Sequence, residues 1–382
     1  MAIAKTIDAK WWLIAVLLLA FGARVYRIDH QSFWNDEGNS ASLSSRSVSL
    51  IIEGTASDVH PPLYYLVLRA WWPLAGQTDF SLRMISAVAG LIQVAATIAI
   101  GRLWLSRKGA IAAGLLLALS PPLIYYSQEA RMYALLGAIA TCSMLVLFRG
   151  LKKENSQSKL AYSAVFAFLT VLGLYTHYVY PAVIAAQGLI VFMSFEGLQR
   201  KPSLELVNSI FNQFWHWLAA VVVALLAYAP WLPIFLRTGS STRAAGDALP
   251  ADFLHETAYW LAMGPFAELN PLWLMGVIFT GVYFAGGVIA LLSVQFRQRI
   301  IVALIWLTIP IMLMLAVGAT DENYRKFLTV VVPAVYLVII LGGEWLDKVT
   351  PLVKGSNVVW SVVFIMPILM FGVWDLYTDP QT

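Results

Sequence analysis

Five short stretches hold most of the ionisable side chains that could do chemistry in this chain. FWNDEGNSA sets Asp36 beside Glu37, and SDVHPPLYY places His60 before two prolines that fix the backbone and end any helix preceding them. YYSQEARMYAL carries Glu129 and Arg131, YTHYVYP carries His177, and TDENYRKFLTVVVP carries Asp321, Glu322, Tyr324, Arg325 and Lys326. Each has a plain structural reading as well. Asn35 or Asp36 can cap a helix, His60 can be a satisfied hydrogen-bonding residue, and Glu129 can pair with Arg131. His177 can belong to an aromatic belt, and the last motif can be the charged end of a membrane segment. One chemistry uses all five together: transfer of a group from a lipid-linked phosphate to a hydroxyl. A placed carboxylate contributes on the order of 10²- to 10⁴-fold as general base, and arginine forks suit a departing phosphate. Asp36 is then the base and Arg325 the phosphate clamp.

The elements that must position these residues are apolar. Of 382 residues 60% are hydrophobic and 12% charged, against about half and a quarter in soluble proteins, so the chain is a membrane protein. Some 20 apolar residues cross the hydrocarbon. About eleven candidates follow, near 11–25, 83–101, 109–126, 132–149, 160–176, 181–195, 214–235, 271–293, 300–318, 327–346 and 356–375. The net charge of +4 comes from basic residues between these runs, which speaks for topology rather than nucleic acid. The basic loops hold Arg102, Arg107 and Lys108; Arg149, Lys152, Lys153 and Lys159; Arg200 and Lys201; Arg297 and Arg299; and Lys348 and Lys354. Such loops stay inside, so the N-terminus is expected inside and the C-terminus outside, with all five motifs on the outer face. The stretch 61–76 is short, carries Arg69 among aromatic residues and would invert every later loop if it crossed, so a half-inserted or surface-lying helix is expected. Two long outer loops remain, 26–60 and 237–270. The second holds Arg237, Arg243, Asp247, Asp252, His255, Glu256 and Glu268 beside Trp260 and Phe266, either a mobile acceptor-binding lid or a plain linker.

Other chemistries find less support. The single Cys142 excludes an intrachain disulfide and a cysteine-based metal cluster, and HETAY lacks the second histidine of a zinc protease. No cofactor is expected; a divalent cation at Asp36, Glu37 and His60 has no diagnostic spacing behind it. A transporter or flippase for lipid-linked sugars is the competing reading, but it would want ionisable groups deep in helices and often an inverted repeat.

FWNDEG, HPPLYYLVLRAWWPLAGQTDFSLRMISAVAG, SPPLIYYSQEARMYAL, LYTHYVYP and YRKFLTVVVP, in that order, resemble the GT-C glycosyltransferases. They are most similar to the family 39 type that includes protein O-mannosyltransferases and the aminoarabinose transferase of lipid A. The resemblance implies an all-α polytopic membrane protein, a GT-C helix bundle of about eleven spans with interfacial helices in the first outer loop, as one domain over 1–382. It implies a polyprenyl-phosphate-linked sugar donor, an acceptor hydroxyl on a lipid, glycan or protein, and inversion at the anomeric centre. It implies an active site on the outer or lumenal face of a membrane; the bacterial plasma membrane is expected, with the lumenal face of the endoplasmic reticulum as the alternative. Asp36 matches the family's base with Glu37 its neighbour, Arg83 and Arg325 beside Tyr324 match its phosphate-facing arginines, and Glu37, His60, Glu129, Arg131 and His177 are expected to line the cleft against substrate. Glu129 departs from the aspartate usual there. Without a sizeable soluble C-terminal domain, acceptor recognition falls to loop 237–270 or to a partner.

Overall fold

The computed structural model describes residues 2–153, 155–193, 204–241, 250–263, 271–350 and 356–378. The expectations for Arg200, Lys201, Arg243, Asp247, Phe266, Glu268 and Lys354 lie outside the described residues. Among those described, the chain is helical throughout, in the order α1 (Ala2–Val25), α2 (Asn35–Ser44), α3 (Val48–Ala56), α4 (Leu63–Ala75), α5 (Asp79–Trp104), α6 (Arg107–Ala118), α7 (Pro121–Ser127), α8 (Tyr133–Leu151), α9 (Ser156–Thr176), α10 (Tyr180–Met193), α11 (Leu204–Tyr228), α12 (Leu232–Ser241), α13 (Pro250–Met263), α14 (Pro271–Ile289), α15 (Val294–Ala316), a 3₁₀ segment Glu322–Val330, α16 (Val332–Val349) and α17 (Ser356–Thr378).

Over its described residues, each of the eleven apolar runs is mainly helical. By length and composition five helices among the described residues can cross a membrane, or seven if two sharply bent pairs each count as one crossing. The bends have covalent causes. α6 and α7 meet at 57° where Pro121 and Pro122 remove backbone donors and force a new start. The 3₁₀ segment and α16 meet at 64°, ahead of Pro333 in the first turn of α16. The run at 61–76 becomes α4, whose 13 residues reach only about 20 Å, short of the ~30 Å hydrocarbon; Gly76 ends it at φ 79°. α2 and α3 make the first long loop a pair of short helices, with α4 following it. The outer surface of the bundle leaves Leu18, Phe168, Leu226, Leu292, Met312 and Trp374 exposed, as a lipid-facing surface does.

The core is centred on α5, α8 and α16. Gly342 of α16 lies so close to α14 that a Cβ there would stand 2.1 Å from the Tyr283 carbonyl oxygen and 2.6 Å from the Gly287 nitrogen, the close backbone approach small residues permit. Some buried polar groups serve breaks in helices. The fully buried Arg24 of α1 donates from Nη1 to the carbonyl of Ala118 at 3.0 Å, just where the bend after α6 leaves carbonyls without helical donors.

The expected alternation of loops is visible as two ends of the bundle. At one end Arg299 donates to the Trp104 carbonyl at 2.6 Å, Lys152 to the Leu103 carbonyl at 3.4 Å, and the Ser106 N–H to Glu344 at 2.7 Å. At the other end Tyr377 of α17 donates to the Ala23 carbonyl at 2.6 Å and accepts from Gln128 at 3.0 Å. The start of α2, the start of α5 and the α7–α8 junction meet there, and so do the charged motifs.

Candidate active site

Asp36 and Glu37 stand in the first turn of α2, where negative charge is favoured by the helix dipole. Trp34 occupies the cap position with no side-chain cap bond, so neither Asn35 nor Asp36 caps the helix. The two carboxylates part company because successive helical residues point about 100° apart. Glu37 turns inward, 1% exposed, and Arg83 of α5 donates to both its oxygens from Nε at 2.7 Å and Nη2 at 2.6 Å. The same carboxylate accepts the Ala130 N–H at 2.7 Å. Arg83 spends Nη1 on the carbonyls of Ile28 and Gln31 at 2.7 and 2.8 Å and lies over the Phe33 ring. The resemblance put Glu37 and Arg83 against substrate, but the geometry makes them the fastening of the first loop to α5 and the α7–α8 junction.

Asp36 turns outward, its side chain one-third exposed and 3.6 Å from Nη2 of Arg131. Arg131 is itself held from Nη1 on the Asp36 carbonyl and Ser40 Oγ, each at 3.1 Å. Both residues line a cavity of about 680 Å³ with Asn39, Asp58, His60, Tyr65, Asp321, Asn323, Tyr324, Lys326 and Phe327. His60 comes to it through the Pro61–Pro62 pair that starts α4, with Asp58 Oδ2 3.7 Å from its Nδ1. Burial, with Arg131 and Lys326 nearby, lowers the His60 pKa even against Asp58, while the contact with His60 lowers that of Asp58. His177 sits behind, at the end of α9, its ring 5.6 Å from that of His60 and 4.1 Å from that of Phe327. Its Nδ1 accepts the Val179 N–H at 3.1 Å, and burial lowers its pKa well below the ordinary value.

The 3₁₀ segment brings Tyr324, Lys326 and Phe327 to the cavity. It can enter the core because side chains meet its carbonyls: Gln93 of α5 donates to Thr329 O and Trp306 of α15 to Val330 O, each at 2.9 Å. Thr329 Oγ1 in turn donates to Tyr133 O at 3.1 Å. Lys326 Nζ lies 5.1 Å from the centre of the Tyr133 ring. Arg325, the expected clamp, is not on the cavity; it pairs with Glu256 of α13. Glu129 is also off the cavity, buried behind it with Oε2 unpartnered among the described residues. Burial, with Glu37 nearby, lifts its carboxyl from an ordinary 4.5 to about 7, against a hydrogen bond from Tyr125.

Of the nine residues singled out, Asp36, His60, Arg131 and Tyr324 meet on the cavity. Asp321 and Lys326, named in the fifth motif but given no role there, join them, and so does Asp58, whose trace in the sequence is its place two residues before His60. The trio Asp36, Glu37 and His60 does not assemble for a cation, because Glu37 is occupied by Arg83. No group of three or more His, Cys, Asp or Glu side chains among the described residues could hold a metal ion.

A second cavity, about 380 Å³ and apolar, opens between α13, α14, α15, α16 and α17, lined by Leu254, Thr257, Ala258, Leu261, Phe284, Leu307, Ile311, Tyr336, Ile339 and Ile365 among others. Near this helix, Trp260 of α13 stands 6.0 Å from Tyr126, and Tyr126 5.4 Å from Tyr133.

Residues 59–234 match the family described as dolichyl-phosphate-mannose-protein mannosyltransferase. No curated protein matches the chain. Among solved structures, ArnT from Cupriavidus metallidurans in the apo state superposes with a TM-score of 0.60 at 18% identity over 93% of this chain and 63% of that one. The Archaeoglobus fulgidus oligosaccharyltransferase complex with Zn and sulfate gives 0.60 at 11% identity over 95% and 52%. ArnT bound to undecaprenyl phosphate gives 0.56 at 17% over 97% and 73%. The chain thus spans roughly half to three quarters of the length of these proteins. The GT-C resemblance carried by the motifs is met again twice, in the family matched by residues 59–234 and in a fold shared over nearly the whole chain.

Proposed function

We propose that the chain is an integral membrane glycosyltransferase that moves a sugar from a polyprenyl-phosphate donor to an acceptor hydroxyl, with the charged cavity facing the outside of a bacterial plasma membrane. The observation that carries the reading is the meeting of Asp36, partly exposed, with His60, Arg131 and Lys326 on one cavity. Asp36 accepts the proton of the acceptor hydroxyl as its oxygen bonds to the anomeric carbon. The bond from that carbon to the phosphate oxygen breaks, and the departing lipid phosphate gains one negative charge. Lys326 and Arg131 are placed to meet that charge, where a charge-assisted hydrogen bond is about twice as strong as a neutral one. Attack from the side opposite the phosphate inverts the anomeric centre. His60 and Tyr324 line the sugar's seat, Glu129 and His177 back it, and Glu37 and Arg83 hold its first loop. The undecaprenyl phosphate of one structural neighbour and the dolichol phosphate bound to another, the Archaeoglobus fulgidus oligosaccharyltransferase AglB, support the donor class.

Purified protein incubated with a panel of polyprenyl-phosphate sugars is expected to consume one of them. Asp36→Asn should lower that turnover about 10²- to 10⁴-fold with the melting temperature unchanged, and Lys326→Gln should raise the donor KM about tenfold. Normal turnover in both folded variants would overturn the assignment. Movement of labelled donor across vesicles with no glycosylated product would favour a flippase instead.

A further inference from the structure

The least covered helices of the bundle carry a crevice at the end away from the charged cavity. Of the five spans among the described residues, those at Ser156–Thr176 and Gln213–Thr238 are the least buried. Leu160, Val165 and Phe168 on the first and Trp215, Val222 and Leu226 on the second are exposed. The two run side by side in the same direction. Tyr175 and Tyr228 stack at one end, ring centres 5.0 Å apart, and Gln213 donates to the Leu151 carbonyl at 3.4 Å toward the other, where Lys152 and Lys153 follow α8. There a narrow crevice of about 40 Å³ opens between α8, α9 and α11.

The lining of the crevice falls in polarity along its length. α9 contributes Lys159, Tyr162, Ser163 and Phe166, and α11 contributes Gln213, His216, Trp217 and Ala220. On each helix the spacing is i, i+3, i+4 and i+7, a single face. Each face passes from a polar side chain at the basic end to an apolar one about 10 Å further in, where Val146 and Leu147 of α8 join it. Lys159 is half-buried in the first turn of α9, where the helix dipole adds positive potential, and Lys153 Nζ lies 5.7 Å from the centre of the Tyr162 ring. Neither lysine has a carboxylate partner among the described residues. The Trp217 indole leans on Gly188 of α10, where a Cβ would stand 2.7 Å from the ring. Its Nε1 is buried with no hydrogen-bond partner among the described residues, and a donor so placed favours any acceptor that can reach it.

A phospholipid has its parts in the same order: a phosphate, then ester carbonyls that only accept hydrogen bonds, then hydrocarbon. We propose that the crevice seats one anionic phospholipid of the surrounding bilayer. Its phosphate lies on Lys159 and Lys153, an ester carbonyl accepts from Trp217 Nε1, and one acyl chain starts between Phe166, Leu147 and Ala220. Two cations without carboxylates select a headgroup of net negative charge, as basic pockets between membrane helices do. The crevice is too small for a whole lipid, so the rest of the chain runs over the exposed apolar faces of α9 and α11, and the occupant must come from the bilayer. The site stands at the opposite end of the bundle from Asp36 and is independent of the transfer reaction.

The test titrates dioleoyl phosphatidylglycerol and dioleoyl phosphatidylcholine into the delipidated full chain in detergent, with bound lipid read by native mass spectrometry. Phosphatidylglycerol should bind about tenfold more tightly than phosphatidylcholine or better, and Lys159→Gln should weaken it about fivefold while changing phosphatidylcholine little. Lys159→Arg, which keeps the charge, should bind like the unaltered protein. Trp217→Phe keeps the ring and loses the N–H, so it should weaken both lipids alike, about three- to tenfold. Glycerol phosphate, which has no chain, should not compete. Equal binding of the two lipids would overturn the proposal. So would an equal loss in Lys108→Gln, a basic residue off the crevice, because the attraction would then be diffuse surface charge. Competition by glycerol phosphate would overturn the chain seat. If Trp217→Phe does not fold, the lysine variants, which alter a side chain at the mouth, decide the outcome alone.

Discussion

Adjacent residues in this chain do opposite work, and the reason is direction rather than type. Glu37 and Arg83 form a pair 1% and 5% exposed at the side chain, 2.6 Å apart, whose removal from one side strands the other. Arg83→Met should therefore destabilise the protein by about 3–5 kcal/mol, whereas Arg83→Met with Glu37→Leu should recover most of the loss; chemical denaturation of the two variants compares them. Glu129 makes a second prediction. Its folded pKa, about 7, stands above the ordinary 4.5, so between those values the folded chain binds more protons than the unfolded one. Stability must then fall as pH rises from about 4.5 to about 7, by up to about 3 kcal/mol. Glu129→Gln should flatten that slope in melts taken across the range. The sequence displayed all these residue types in their clusters. It did not display that Glu37 turns inward, that Arg325 turns to α13 or that Lys326 takes its expected place, because a one-residue difference in direction is settled by packing partners more than 40 positions away.

Helices were legible from apolar length, but two of their breaks were not: 109–126 and 327–346 each read as one run, although Pro121–Pro122 and Pro333 stand at the bends. The 3₁₀ form of 322–330 was not legible, since its support comes from Gln93 and Trp306, on helices remote in sequence. Gln93→Leu would leave the buried Thr329 carbonyl without its donor, at about 1–3 kcal/mol. It should also loosen the segment that carries Lys326, so a lowered melting temperature and a raised donor KM are expected together, whereas a purely structural role would move only the first. At the same scale Gly342→Leu should prevent proper packing of α14 on α16, because even a Cβ meets backbone there; loss of monodisperse protein on size-exclusion chromatography reads it.

Across the molecule, the scarce charges sort to two ends. Cysteine scanning in a background with Cys142 replaced by Ala should label Asp58→Cys and Asn323→Cys from one side of intact cells and Lys152→Cys only after permeabilisation. Labelling of 58 and 323 from contrary sides would break the shared cavity apart. The alternation of basic loops made this arrangement readable. The gathering of five separate motifs around 680 Å³ needed the helices in three dimensions.

The 3₁₀ screw at 322–330 has a period of three residues. Tyr324 and Phe327 accordingly stack on a common edge, ring centres 5.7 Å apart, and the neighbouring cations are flung a third of a revolution apart. Deleting one residue ahead of Asp321 would advance the thread by one notch. Such a deletion would turn Lys326 toward α13 where Arg325 now points, bring Arg325 to the place of Tyr324 on the charged cavity and Phe327 to that of Lys326, leaving composition and net charge almost untouched.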